Sequence, residues 1–312
     1  MKDYSGTRKI SVVLATMNRP ADMKSALDSL SAQTFKPLEV LIIDQSQDDR
    51  TRTLASGLKP AFEALGIRLE YLHQEAKSLV KARNRGIDEA AGDLISFIDD
   101  DAVLFPDYFE QICRFLDRHP DIGAVSGCQI LPSRPTGLKW AVRRALMRFF
   151  LISGCDGRMT PSGFGYPLSY EMEVDRVLDV QMLPGCNMNF TKKIIGPDRF
   201  DEWFSGYGFR EDADFSYRIS QKTRTVMIPQ AKLRHQYSSS NRLDMTALKK
   251  MEMRNYRYVF NKFRKGRPFA GLLFIHSMAG LVLIELVQFL SSRRGAGFKD
   301  LRATVAACAD RA

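Results

Sequence analysis

The chain has 312 residues, 45% of them hydrophobic and 26% charged, which is enough to bury a sizeable core and too apolar for a disordered segment. Its net charge of +10 calls for an anionic partner, whether nucleic acid, anionic lipid or phosphorylated substrate. Five scattered cysteines without a Cys-x-x-Cys pair exclude a zinc ribbon or dithiol redox motif and point to free thiols in a reducing compartment.

Met1 to Lys9 is polar and leads straight into a strand-like segment, so no secretory signal is expected. Lys9–Ala15 reads as a buried strand and Ala21–Ala32 as a helix opened by Pro20. Leu38–Ile43 is a second strand ending at Asp44. Thr51–Leu65 follows as a helix, Ile67–Leu72 as a strand and Val80–Ala91 as a helix stopped by Gly92. Leu94–Ile98 is a strand running into Asp99-Asp100-Asp101. Short apolar strands alternating with helices predict an α/β fold with a mainly parallel, Rossmann-like sheet covered by helices. Ligands of such sheets bind at the carboxyl ends of the strands, where Thr16, Asn18, Asp44 and the aspartate run all fall. No Gly-x-Gly-x-x-Gly follows the first strand, which argues against a nicotinamide cofactor.

Residues 131–180 lose this periodicity and read as an irregular insertion containing a basic amphipathic helix, Leu138–Leu151. Gln181–Phe190 returns to strand character. Phe209–Gln221 is helical and contains Glu211-Asp212, and Thr225–His235 is a last strand. Met245–Phe263 reads as a basic, aromatic helix. Phe269–Leu290 approaches the roughly 20 apolar residues that span a bilayer. His276, Glu285 and Gln288 interrupt it, and Lys262–Arg267, Arg293 and Arg294 flank it. These interruptions favour a helix lying in the membrane plane over a span, with a buried core helix as the alternative. Basic residues beside apolar stretches, Arg134, Lys139, Arg143, Arg144 and Arg148 among them, suit an anionic membrane better than a DNA groove. No nucleic-acid partner is expected.

Three adjacent carboxylates repel one another, and a cation is the usual remedy. Alternating residues of an extended chain point the same way, so Asp99 and Asp101 can share an oxygen-ligated Mg²⁺ or Mn²⁺. A solvated acidic turn is the structural alternative. Glu211-Asp212 likewise has a purely structural reading, because carboxylates are favoured at a helix start.

The ordered series of motifs decides between these readings. Ser11 to Pro20, Ile42 to Asp49, Ala82-Arg83-Asn84-Arg85-Gly86, Phe97 to Asp101, Pro184-Gly185-Cys186-Asn187-Met188-Asn189, Glu211 to Arg218 and Pro229 to His235 together resemble the family 2 glycosyltransferases. The resemblance covers roughly Ile10 to His235, and Gln45 stands where that family commonly has a second acid. It implies a GT-A fold over residues 1–240, while the apolar and basic stretches read above make 241–312 a helical, membrane-associated region. The resemblance also implies an inverting, metal-dependent enzyme of bacterial type; the single apolar run favours non-processive transfer, and the basic residues beside apolar stretches favour the inner face of the cytoplasmic membrane. That enzyme would move one sugar from a nucleotide-sugar donor to a glycan or polyprenyl-linked acceptor in cell-surface polysaccharide synthesis. By the same resemblance, Thr16, Asn18, Arg19, Asp44, Arg83 and Asp100 would bind the nucleotide-sugar. Asp99, Asp101 and His235 would hold the divalent metal, Asp212 would act as general base, and Glu211 would orient the base or the acceptor. Two other classes predict different behaviour. A metal-dependent nucleotidyl- or phosphotransferase would use the same sheet and aspartates. A non-catalytic basic module for lipid or nucleic acid would bind without needing Asp101 or Asp212.

Overall fold

The computed structural model describes residues 7–130, 137–168, 174–237 and 244–291, together with Arg302, Thr304 and Val305. Arg134, Arg293 and Arg294 lie outside the described residues. The chain divides into two compact units, Met1–Pro132 with Met172–Asn241, and Ser133–Glu171 with Arg242–Ala312.

The first unit begins β1 (Ile10–Thr16), α1 (Pro20–Ser31), β2 (Glu39–Asp44), α2 (Arg50–Ala64), β3 (Arg68–His73), α3 (Leu79–Glu89) and β4 (Leu94–Asp99). It continues through β5 (Ala102–Leu104), α4 (Tyr108–Arg118) and β6 (Ile122–Gln129). The chain then contributes α5 (Leu138–Phe149) to the second unit and returns for β7 (Leu178–Asp179), β8 (Asn187–Thr191), α6 (Lys192–Ile195), α7 (Glu211–Ser220) and β9 (Arg224–His235). The second unit ends with α8 (Met245–Phe263) and α9 (Ala270–Ser291).

Among the described residues the strands form one mixed sheet in the order β3-β2-β1-β4-β8-β6-β9-β5, with β7 beside β9. Its first half is parallel, each strand joined to the next by a helix that covers a face. That is why Val12, Leu14, Val40, Ile42 and Leu94 are all buried and the strands read as near-continuous apolar runs. Pro20 opens α1 at a position where a missing N–H costs nothing. The second half is different: β8 runs antiparallel between β4 and β6, and β5 runs antiparallel to β9. The strand expected over Gln181–Phe190 begins only at Asn187, because Pro184 and Gly185 hold the preceding segment as a loop.

A buried polar ladder pins this switch. Ser96 Oγ donates to Asn189 Oδ1 at 2.7 Å, Asn189 Nδ2 to the Tyr108 hydroxyl at 2.9 Å, and that hydroxyl to Asn187 Oδ1 at 2.8 Å. Every member has a partner, so the polar atoms stabilise the strand order instead of opposing burial. Gly92 fixes the entry to β4: a Cβ there would stand 2.4 Å from the Lys9 carbonyl oxygen and 2.8 Å from the Ser11 nitrogen. Backbone on both sides cannot yield cheaply. Gly92→Ala is expected to cost about 1–3 kcal/mol, read as a lower urea midpoint at unchanged m-value.

The second unit packs α5, α8 and α9 around aromatic rings. Phe164 lies 4.1 Å from Tyr256 and 5.5 Å from Phe274 by ring centroids. Three polar residues of α9 are satisfied on this inner side. His276 Nε2 lies 2.9 Å from the Phe149 carbonyl, Ser277 Oγ donates to the Phe150 carbonyl at 2.6 Å, and Glu285 pairs with Lys249 at 2.6 Å.

Candidate active site

The carboxyl ends of the parallel strands supply the first wall of the site. In register, Thr16 lies beside Asp44 and Ala15 beside Asp99. β4 therefore delivers Asp99-Asp100-Asp101 next to the loop that follows β1. Thr16 Oγ1 donates to Asp100 Oδ2 at 2.6 Å, and Arg19 Nη1 reaches Asp100 Oδ1 at 3.2 Å and Asp101 Oδ2 at 3.9 Å. Burial pushes the Asp100 carboxyl up to about 7, against the opposing pull of Arg19 and Thr16. Asn18 takes a left-handed backbone with φ of 57°, and its amide donates to Ser46 Oγ at 2.7 Å. Asp44 is fully buried and committed locally: Ser46 N donates to Oδ1 and the Tyr71 hydroxyl to Oδ2, each at 2.9 Å. It thus braces the loops after β1 and β2 against each other.

The second wall comes from far along the chain. Pairing of β5 with β9 sets Ala102 opposite His235, which carries the imidazole to the aspartate run. His235 Nε2 lies 2.7 Å from Asp101 Oδ1 and 4.0 Å from Asp99 Oδ2, and one ligand atom from each of the three residues falls within 4.8 Å of the others. Burial alone would lower the ring's pKa, but Cys186 and the hydrogen bond to Asp101 outweigh it and raise the value. Two carboxylates and an imidazole, on a chain segment with an excess of negative charge, are a donor set that fits a divalent cation. A cation there would replace the proton now shared between His235 and Asp101.

Arg83, on α3, ties this triad to the acidic end of α7. Its buried guanidinium donates from Nη2 to Asp99 Oδ1 at 3.1 Å and to the Gly185 carbonyl at 3.0 Å, and from Nη1 to Glu211 Oε1 at 2.6 Å. Gly185 in turn donates its N–H to Asp212 Oδ2 at 2.9 Å, while Ala213 N–H reaches Asp212 Oδ1 at 2.7 Å. A Cβ on Gly185 would sit 3.1 Å from Arg83 Nη2 and 3.2 Å from Asp212 Oδ2, so the absence of a side chain is what allows this close approach. Asp212 stays partly exposed, whereas Glu211 is buried. Burial raises the Asp212 carboxyl, with Arg83 acting the other way.

All eleven residues singled out in the sequence lie at these two walls, but the surroundings of Arg83 differ from the expectation. Arg83 is buried and bonded to Asp99, Gly185 and Glu211, so it organises carboxylates within the protein. Asn187 and Asn189, within the Pro184–Asn189 motif, are spent on the buried ladder with Ser96 and Tyr108. Sequence reasoning missed Tyr71 as the partner of Asp44, and the main chain of Gly185 as the bridge between Arg83 and Asp212. Only the Pro184-Gly185 pair hinted at the latter.

Burial pushes Glu211 up to about 8, against the pull of Arg83 and with a contribution from Asp212. In the unfolded chain this carboxyl ionises in its ordinary range near 4.3. Between those values the folded protein holds a proton that the unfolded chain has released, so stability falls as pH rises. Metal-free protein is expected to lose thermal stability steadily from about pH 5 to about pH 8. Glu211→Gln should flatten that slope, as melting curves across the pH series will test.

The model of Glycosyl transferase family 2 matches residues 11–177, and the chain belongs to that family. It is similar to the glucosyl-dolichyl phosphate glucuronosyltransferase of Haloferax volcanii, at 27% identity over 193 residues, 60% of this chain and 54% of that protein. A second relative is the GalNAc(5)-diNAcBac-PP-undecaprenol beta-1,3-glucosyltransferase of Campylobacter jejuni. It is 30% identical over 96 residues, 31% of this chain and 30% of that one. The chain thus spans about half the length of these curated relatives or less. Among solved structures, the mannosyltransferase PcManGT from Pyrobaculum calidifontis, in complex with GDP-Man and Mn²⁺, superposes with a TM-score of 0.56 at 17% identity. The match covers 97% of this chain and 74% of that one, and the shared architecture is the GT-A fold.

Proposed function

We propose that the protein is an inverting, metal-dependent glycosyltransferase that moves a single sugar from a nucleotide-sugar to a glycan or lipid-linked acceptor at the inner face of the cytoplasmic membrane. The observation that carries this reading is the guanidinium of Arg83, which binds a carboxylate of the Asp99–Asp101–His235 triad on one side and Glu211 on the other. One buried guanidinium thus draws together acidic groups from distant parts of the chain, which supports a shared site for donor binding and acceptor activation.

In this reading Thr16, Arg19 and Asp100 form the donor end, and the loop braced by Asn18, Ser46 and Asp44 receives the nucleoside. Asp99, Asp101 and His235 hold Mg²⁺ or Mn²⁺, whose chemistry is to neutralise charge that builds on the leaving diphosphate. Asp212 accepts the proton of the acceptor hydroxyl as that oxygen attacks the anomeric carbon. Two backbone amides fix its carboxylate, and its raised pKa makes it a stronger base than an ordinary aspartate. Attack opposite the leaving diphosphate is one displacement and inverts the anomeric centre. Glu211, held by Arg83, positions Asp212 and the acceptor. The domain boundary near residue 240, with 131–180 as an insertion, assigns this chemistry to the first part of the chain. The relatives from Haloferax and Campylobacter are named for lipid-linked sugars, which supports an acceptor of that class.

The test is to incubate purified protein with Mn²⁺, a polyprenyl-linked glycan acceptor, a panel of uridine, guanosine and thymidine diphosphate sugars, and the matching nucleoside triphosphates. Released nucleoside diphosphate and product anomers are read by NMR. Transfer with inverted configuration supports the reading. Consumption of a nucleoside triphosphate with diphosphate release, or transfer with retained configuration, contradicts it.

A further inference from the structure

The excess of positive charge is not spread over the chain. The described residues of the second unit, 137–168 and 244–291, contain 13 Lys and Arg against 4 Asp and Glu, nearly the whole of the protein's net +10. The same residues carry most of the exposed large hydrophobic side chains among the described residues. On α9, a helix of 22 residues, the inner face is fastened to α5 and α8 by Ser277, Gly280, Ile284 and Glu285. The outer face is a stripe at helical spacing: Leu272, Ile275, Ala279, Leu283, Leu286 and Leu290, all exposed. Leu272 is 67%, Ile275 64% and Leu290 74% exposed. Helix α5 repeats the pattern in a basic setting. Leu138 and Phe149 are 80% and 68% exposed, Ala141, Val142 and Ala145 lie between them, and Lys139, Arg143 and Arg148 are exposed alongside. The two stripes meet where the Phe149 ring sits 5.3 Å from that of His276.

We infer that α5 and the outer stripe of α9 form one docking face for the surface of an anionic bilayer, with α9 lying in the membrane plane. Apolar side chains enter the headgroup boundary while flanking lysines and arginines pair with lipid phosphates, the arrangement of a monotopic amphipathic anchor. A window of α9, Ala270–Val287, is long and apolar enough to cross a membrane. Yet a crossing helix would carry the Lys249–Glu285 pair and the His276 and Ser277 hydrogen bonds into hydrocarbon along with the helices they join. A second copy of this chain is a poorer occupant, because two faces so rich in like charge repel. This inference rests on the membrane-located reading above, and its test is independent of transfer.

The full-length protein is expected to co-sediment with phosphatidylcholine vesicles containing phosphatidylglycerol, and to leave pure phosphatidylcholine vesicles largely unbound. Lys139→Gln combined with Arg143→Gln should weaken binding roughly thirtyfold, and Leu272→Glu combined with Ile275→Glu should abolish it. Both double variants should keep the wild-type rate toward a water-soluble acceptor and the wild-type melting temperature. Nitroxide labels at Leu272→Cys, Ala279→Cys and Leu286→Cys in a Cys308→Ser background should report one shared shallow depth. A deep value at 279 between two shallow ones means a span and overturns the in-plane geometry. Unaltered vesicle binding in both double variants, or a salt-stable dimer in lipid-free buffer that only the Leu272/Ile275 variant dissociates, overturns the membrane face altogether.

Discussion

Asp212→Asn is expected to lower kcat by about 10³-fold while leaving the affinity for nucleoside diphosphate and Mn²⁺ within twofold of the unaltered protein. The asymmetry follows from geometry. Asparagine retains an oxygen to accept the Gly185 N–H, now made at 2.9 Å, so the loop before β8 keeps its position. What disappears is the acceptor for the Ala213 N–H and the basic lone pair that takes the acceptor's proton. Single-turnover transfer measured beside isothermal titration of the diphosphate separates the two effects. Equal losses in binding and turnover would mean that Asp212 supports the donor and is not the base. Glu211→Gln provides the contrast: it keeps one hydrogen bond to Arg83, and its rate should fall less than that of Asp212→Asn.

Removing Asp101 acts on the opposite wall. Asp101 is buried, hydrogen-bonded to His235 and within 3.9 Å of Arg19. Asp101→Ala is expected to lower the affinity for Mn²⁺ by about 100-fold or more, since loss of even a supporting group around a metal costs 10- to 100-fold. The thermal stabilisation that Mn²⁺ and nucleoside diphosphate give the unaltered protein should then vanish. Metal-free stability should change much less, because the substitution also relieves repulsion among three adjacent carboxylates. If the Mn²⁺-induced shift in melting temperature survived in both Asp101→Ala and His235→Ala, the metal would have to bind elsewhere.

These two experiments probe features of unequal legibility. The aspartate run was visible because β4 is a plain apolar strand and three acids at its end have no packing reason to be there. The start of α7 was visible as acids at a helix N-terminus, which has an ordinary structural explanation too. The chain did not advertise that Arg83 would join them. An arginine on an amphipathic helix normally faces water, and this one is buried only because Asp99, Gly185 and Glu211 meet it inside the protein. Strands β5 and β6 gave little signal: the first has three residues, and the second contains Gly123, Ser126 and Gly127, which dilute an apolar run.

The sequence by itself determined the parallel half of the sheet, the strand ends at Thr16, Asp44 and Asp99, the bounds of α8 and the apolar character of α9. These depend on local periodicity and on residues adjacent in the chain, which a one-dimensional reading can weigh. Only the tertiary structure decided that β8 inserts antiparallel between β4 and β6, that β5 pairs with β9 to bring His235 onto Asp101, and that one face of α9 is fastened down while the other stays bare. Pairing between strands so distant in the chain is selected by the energy of the whole sheet, because a shift of one residue would turn every side chain to the wrong face. No local pattern records that choice.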